Sequence, residues 1–223
     1  MRGLFVTGTD TEVGKSVLAA ALCAALSARG ERVAAFKPVV TGTDEPAGEF
    51  ARDHELLAAA AGGAQAPEQV APYRFGPPVS PHFAAELAGE PIEPARLVAL
   101  ARSLGESADV LVAEGVGGLL VPITTGYLVR DLARELALPL LVAARTGLGT
   151  INHTLLTVEA ARAVSLDVRG VVMTPWPAEP SPIERSNRAT VERLAAVPVS
   201  GLPRCDPGSL AAAGAALPLN DWL

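Results

Sequence analysis

The stretch VTGTDTEVGKS, Val6 to Ser16, constrains this chain more than any other. A short apolar run enters it and an alanine-rich run leaves it, so a glycine turn joins a strand to a helix. A Gly-Lys-Ser ending in that setting marks a phosphate-binding loop, whose backbone N–H groups wrap phosphate oxygens at a helix N-terminus. The usual loop has four residues between its glycines. Here five separate Gly8 from Gly14: Thr9, Asp10, Thr11, Glu12 and Val13. The longer loop brings Asp10, Thr11 and Glu12 toward the ligand, and acids beside polyphosphate suit a site that also takes an amine-bearing substrate. Lys15 is placed to reach the β- and γ-phosphates, and the Ser16 hydroxyl to ligate Mg²⁺.

Beyond the loop, apolar runs alternate with helical patterns. Strands are predicted at 4–6, 33–36, 110–113, 139–144 and 168–173, and helices at 16–28, 49–61, 94–104, 128–136, 151–164 and 182–196. Residues 64–81, rich in proline and glycine, read as a surface loop, and the alanine-rich tail starts at Pro207. Strands that are apolar throughout are buried on both faces, which requires a mostly parallel sheet with helices on each side. No linker, repeat or charge run divides the chain, so residues 1–223 are expected to form one α/β domain of the P-loop NTPase type. Ligands of such sheets lie beyond the carboxyl ends of the strands.

A net charge of −6 argues against nucleic acid or an anionic membrane as partner. No apolar run approaches the roughly 18 residues of a membrane span. Met1-Arg2-Gly3 leads straight into a strand without a signal peptide pattern, and Cys23 and Cys205 have no metal-ligand spacing. A cytoplasmic protein is expected.

The lysines are informative. Of 18 basic residues only Lys15 and Lys37 are lysine; the rest are arginine. An ammonium is a compact point charge that reaches a phosphate or carbamate oxygen where a planar guanidinium would not fit. One lysine lies in the loop and the other ends the second strand, with Thr41 following. Glu114 ends the third strand, where P-loop enzymes set an acid against Mg²⁺, and a carboxylate after four apolar residues needs a compensating cation. Gly115, Gly117 and Gly118 after it allow close backbone approach to a ligand. Asp53 reads equally as a metal ligand or a first-turn acid on the helix dipole. Gly149, Thr150 and Asn152 open the helix after the next strand and make a second anion site, although Thr150 also reads as a cap. His153 reads as a capping or packing histidine, and His82 as structural or substrate-shaping rather than a base.

Taken in order, "GTDTEVGKS", "KPVVTG", "PYRFGPPVSPH", "VAEGVGGLLVP" and "LGTINHTLLT" resemble the dethiobiotin synthetase family from Val6 to about Gly170, and the five-residue loop spacing is that family's own. The resemblance implies that 7,8-diaminopelargonic acid, CO₂ and ATP, with Mg²⁺, give the ureido ring of dethiobiotin through a carbamate and a carbamic–phosphoric anhydride. It implies Lys37 at the carbamate, Lys15 on the transferring phosphoryl group, and Ser16, Asp53 and Glu114 on Mg²⁺. Thr11 and Thr41 would meet the diamine, and Gly149 to Asn152 the substrate carboxylate across a homodimer interface. The nucleotide would further touch Glu12, Val13, Gly14, Val17, Gly115, Val116 and Gly117, with Thr174, Leu202, Pro203 and Arg204 around the base.

At one place the chain departs from that pattern. Where the family usually carries an Asn-Asp pair to read adenine, Thr174 and Pro175 stand. Threonine cannot pair bidentately with adenine and proline lacks a backbone donor, so weakened base selection is expected. A related corrinoid amide synthase would need a glutaminase domain. A partitioning-type switch ATPase would carry a lysine near the loop's start, where Asp10 stands. An inactive nucleotide binder is opposed by the intact Lys15, Lys37 and Glu114.

Overall fold

A computed structural model describes residues 1–223. The chain runs β1 (Gly3–Gly8), α1 (Lys15–Ala28), β2 (Val33–Phe36), β3 (Val39–Val40), α2 (Asp53–Ala60), α3 (Pro67–Val70), β4 (Tyr73–Arg74), α4 (Pro81–Ala88), α5 (Pro94–Ser107) and β5 (Val110–Gly118). It continues with β6 (Pro122–Thr124), β7 (Tyr127–Leu128), α6 (Val129–Leu136), β8 (Leu140–Ala144), α7 (Thr150–Arg162), β9 (Val168–Met173), α8 (Pro182–Ala195), β10 (Val199–Gly201), α9 (Leu210–Ala215) and α10 (Leu219–Trp222).

Six strands form a parallel sheet in the order β10-β9-β8-β1-β5-β2. The first strand is central and wholly buried, with β5 on one side and β8 on the other. Connections therefore diverge at the carboxyl end of β1, which opens a crevice where the glycine loop emerges. Successive side chains of a strand face opposite sides. Phe5 accordingly joins the core under α5 to α8, whereas Leu4 and Val6 join the core under α1, α2, α9 and α10.

The alanine-rich composition of α1 has a packing reason. A Cβ placed on Gly214 of α9 would lie 2.0 Å from the Ala21 carbonyl oxygen, so these helices are almost in backbone contact. Leu18, Leu22 and Leu26 of α1 are fully buried, and burying a leucine contributes roughly 1.5–3 kcal/mol. Trp222 closes the far end of that core, packed over Gly170 of β9. No helix is long and apolar enough to cross a membrane.

Several parts differ from the sequence-based expectation, among them β3, the edge strand β10 and the tail helices α9 and α10. The predicted helix 49–61 begins only at Asp53, because Arg52 is extended (φ −57°, ψ 150°) and its N–H donates to the Glu55 carboxylate at 3.1 Å, closing the helix start. The predicted loop 64–81 contains α3 and β4, with β4 pairing to β3. Helix α4 and the β6–β7 hairpin were not anticipated; Pro81 at the head of α4 fits the first-turn preference of proline.

Candidate active site

The glycine loop is held by its own carbonyls. Gly14 has φ 83°, and a Cβ on it would come 2.6 Å from the Thr174 methyl, so only glycine fits. Lys15 Nζ donates to the Asp10 carbonyl at 2.7 Å, the Thr11 N–H donates to Asp10 Oδ1 at 2.7 Å, and Arg145 Nη2 donates to the Thr11 carbonyl at 3.1 Å. The residues added by the long spacing thus anchor the loop lysine. Burial lowers Lys15 from the ordinary lysine value to about 8, with Glu114 pulling the other way.

A cavity of about 990 Å³ lies beside the loop at the carboxyl ends of β1, β2 and β5. Lys15, Ser16, Lys37, Asp53 and Glu114 converge in it, and Thr11, Glu12, Val17, Thr41, Val116 and Gly117 line it too. Lys37, 3% exposed, is the centre of a charge cluster. Its Nζ lies 2.5 Å from Glu114 Oε1 and 2.8 Å from Asp53 Oδ2, and Ser16 Oγ donates to Glu114 Oε1 at 2.8 Å. Burial alone would pull Lys37 down, but Asp53 and Glu114 overcome it and hold its ammonium well above the ordinary value. Burial pushes the Glu114 carboxyl up, and Lys37 offsets this only in part. Burial also pushes Asp53 up, but Lys37 wins and holds it below the usual range.

Glu114 Oε2 is buried without any hydrogen-bond partner. An orphaned carboxylate oxygen beside Ser16 Oγ and the half-exposed Asp53 fits a divalent cation. No group of three or more His, Cys, Asp or Glu side chains is gathered here or elsewhere, so a cation at this point would rest on two carboxylates and the Ser16 hydroxyl.

A second cavity, about 440 Å³, opens past the loop toward the ends of β8 and β9. Glu12, Val13, Gly14 and Val17 line one side, and Thr174, Pro175, Pro203 and Arg204 another. Leu202, predicted to meet the base, does not line it. Its side chain is wholly buried, its N–H donates to the Met173 carbonyl and its own carbonyl accepts from the Trp176 N–H. Gly115 also departs from expectation: a Cβ there would meet Val129 at 2.8 Å and the Phe5 ring at 3.3 Å, so the glycine permits packing against α6 rather than ligand approach. Gly117, with φ 58°, does line the larger cavity.

Gly149, Thr150 and Asn152 open α7 and line neither cavity, although the preceding Thr146 and Gly147 line the second. Gly149 and Asn152 are exposed, while the buried Thr150 hydroxyl donates to the Arg145 carbonyl at 2.6 Å. The turn before α7 is fixed by the buried Asn187 of α8, whose Nδ2 donates to the Thr146 and Gly147 carbonyls at 2.9 and 3.1 Å. Sequence reasoning missed Asn187, because no local motif ties it to a loop 40 residues earlier. It also missed Glu49 and Phe50, which line both cavities.

Comparison with known proteins bears on this arrangement. The AAA domain family AAA_26 matches residues 2–203. The ATP-dependent dethiobiotin synthetase BioD of Anaeromyxobacter dehalogenans is 45% identical over 87% of this chain and 86% of its own length. The chain belongs to the dethiobiotin synthetase family. It is an ATP-dependent, C–N bond-forming ligase of biotin biosynthesis. The Bacillus subtilis dethiobiotin synthetase is 35% identical over 91% of the chain and 87% of its own length. Among solved structures, a ParA family ATPase from Chlorobium tepidum superposes with a TM-score of 0.55 at 13% identity, covering 98% of this chain and 92% of that one. The Pyrococcus furiosus cell division ATPase MinD does so at 0.55 and 19%, covering 96% and 88%. These two likenesses establish the P-loop NTPase fold and nothing finer.

Proposed function

We propose that this enzyme makes dethiobiotin from 7,8-diaminopelargonic acid, CO₂ and ATP, and that the cavity around Lys15 and Lys37 is where the ring closes. One amine of the substrate takes up CO₂ as a carbamate. A carbamate oxygen then attacks the γ-phosphorus of ATP, giving a carbamic–phosphoric anhydride and ADP. The second amine attacks the carbamoyl carbon and expels phosphate, closing the ureido ring. No protein nucleophile is required, so the residues act by position and charge.

Lys37 holds the carbamate against the γ-phosphate, and Lys15 neutralises charge gathering on the transferring phosphoryl group. Ser16, Asp53 and Glu114 would hold Mg²⁺, which when bound neutralises phosphate charge. Thr11 and Thr41 meet the diamine end of the substrate. The start of α7, Gly149 to Asn152, receives the substrate carboxylate in a homodimer. The exposed Leu120, Leu148 and Leu156 near that helix support an apolar contact between copies. The observation that carries the reading is the convergence of the chain's two buried ammonium groups in one cavity beside the glycine loop.

Base selection is proposed to be relaxed, because Thr174 and Pro175 stand in the second cavity and Thr174 turns its methyl onto Gly14. CTP and GTP are expected to support more than about a hundredth of the ATP rate, since each bidentate base pair lost removes roughly 1–3 kcal/mol of discrimination. The test is dethiobiotin formation by the purified protein with diaminopelargonate, bicarbonate, Mg²⁺ and each nucleotide in turn. Phosphate release that needs no diamine, or that responds instead to DNA or a protein partner, would overturn the assignment. CTP and GTP rates below that fraction would overturn only the relaxed base selection.

A further inference from the structure

The two cavities share a neck. On one side stand Gly14 and Val17 at the head of α1; on the other stand Glu49 and Phe50. A nucleotide with its phosphates on the glycine loop and its base in the second cavity must pass between them. The segment reaches that position because α2 starts late, at Asp53, leaving residues 49–52 out of the helix.

This segment is tied firmly to its own wall. Arg52 Nη2 donates to the Thr43 and Glu45 carbonyls at 2.7 and 3.2 Å, and the Asp44 N–H donates to the Gly76 carbonyl at 3.1 Å. An ion pair links it to the far wall of the second cavity: Arg204 Nη2 to Glu49 Oε2 at 2.7 Å. Both partners are exposed, at 77% and 56%, and such a pair is weak enough to open readily. Phe50 beside it packs against the core on the α1 side. The second cavity contains no Asn, Gln or Asp side chain; its charged side chains, Glu12, Glu49, Arg145 and Arg204, are all exposed, whereas Phe50, Val17, Pro175 and Pro203 offer apolar faces. Every base has a π-face, so contact of this kind does not discriminate among bases.

We propose that Phe50 covers the nucleotide at the neck, gripping ribose and base by contact indifferent to base identity, and that the Glu49–Arg204 pair is the latch that positions it. The inference rests on the larger cavity being the triphosphate site. Phe50 is a binding residue in this scheme; Glu49 and Arg204 act through it.

Titration calorimetry with MgADP, MgCDP and MgGDP tests it without any chemistry taking place. Phe50→Ala is expected to weaken all three by a common factor of about tenfold or more, with the ratios among them unchanged, and Phe50→Trp to restore binding. Glu49→Arg and Arg204→Glu should each speed nucleotide release in stopped flow, and the double reversal should slow it again, an outcome that general loosening of the loop would not give. The proposal fails if Phe50→Ala leaves the three affinities intact or weakens one base alone. The latch fails if the double reversal is no better than the single changes. A hundredfold preference of the unaltered protein for ADP would sink relaxed base selection, while the Phe50 comparison would be read from ADP alone.

Discussion

The two cavities beside the glycine loop are built on opposite principles. On the β1, β5 and β2 side, charges are buried and shared: Lys37 bridges Asp53 and Glu114, and Ser16 joins the same carboxylate. On the β8, β9 and β10 side the charged groups of the lining, Glu12, Glu49, Arg145 and Arg204, are all exposed, and the Arg204–Glu49 and Arg145–Asp10 pairs lie in solvent. Buried charges respond strongly to any lost partner, whereas apolar walls and exposed pairs tolerate change. Chemistry that must stabilise developing charge belongs on the first side. Gripping a base that does not react can be left to the second.

The sharpest way to break this contrast is Lys37→Ala. Turnover to dethiobiotin should fall by about 10²–10³, in line with removing one preorganised charge from a transition state, while ADP binding persists. Wild-type turnover in that variant would place the chemistry elsewhere. Glu114→Ala strips Lys37 of its fully buried partner and should cost roughly 3–5 kcal/mol of stability in denaturant unfolding. An unchanged midpoint would mean that the cluster is far better solvated than its burial indicates.

A third measurement is the pH dependence of nucleotide affinity. Burial lowers Lys15 to about 8 in the folded protein, below the ordinary lysine value. Its ammonium is lost above about pH 8 in the empty enzyme, so ADP affinity should fall from there upward. Stability should move the other way. Between the folded and unfolded values the unfolded chain holds the extra proton, so the empty protein gains stability as pH rises through that window. A flat affinity profile to pH 10 would remove Lys15 from phosphate binding. Smallest of all should be Arg204→Ala, which is expected to change stability by less than about 1 kcal/mol. A larger loss would show that the base side is as tightly determined as the phosphate side.

The convergence of groups in the larger cavity is legible in the sequence because each follows a strand or opens a helix. Lys37 and Glu114 end apolar runs, and the glycine loop announces itself. Asp53 is legible only in part, since its neighbours leave metal and dipole roles equal, and the fold adds the salt bridge to Lys37. The second cavity is less readable. Glu49 and Phe50 were assigned to a helix that in fact starts after them. Leu202 was placed at the base although its backbone groups are consumed by Met173 and Trp176. Gly115 was read for ligand approach when its neighbours are Val129 and Phe5, from elements distant in sequence. In each case the deciding contact is tertiary, and local pattern carries no trace of it.

The scarcity of lysine has a practical consequence. With both ammonium side chains sunk to 7% and 3% exposure inside one cavity, the outer surface offers no lysine at all. Lysine acylation of the folded enzyme can therefore occur nowhere except in that cavity, and isotope labelling of lysine side chains yields two signals that both belong to it. The enzyme carries its own pair of spectroscopic and chemical reporters, with no background from the rest of the molecule.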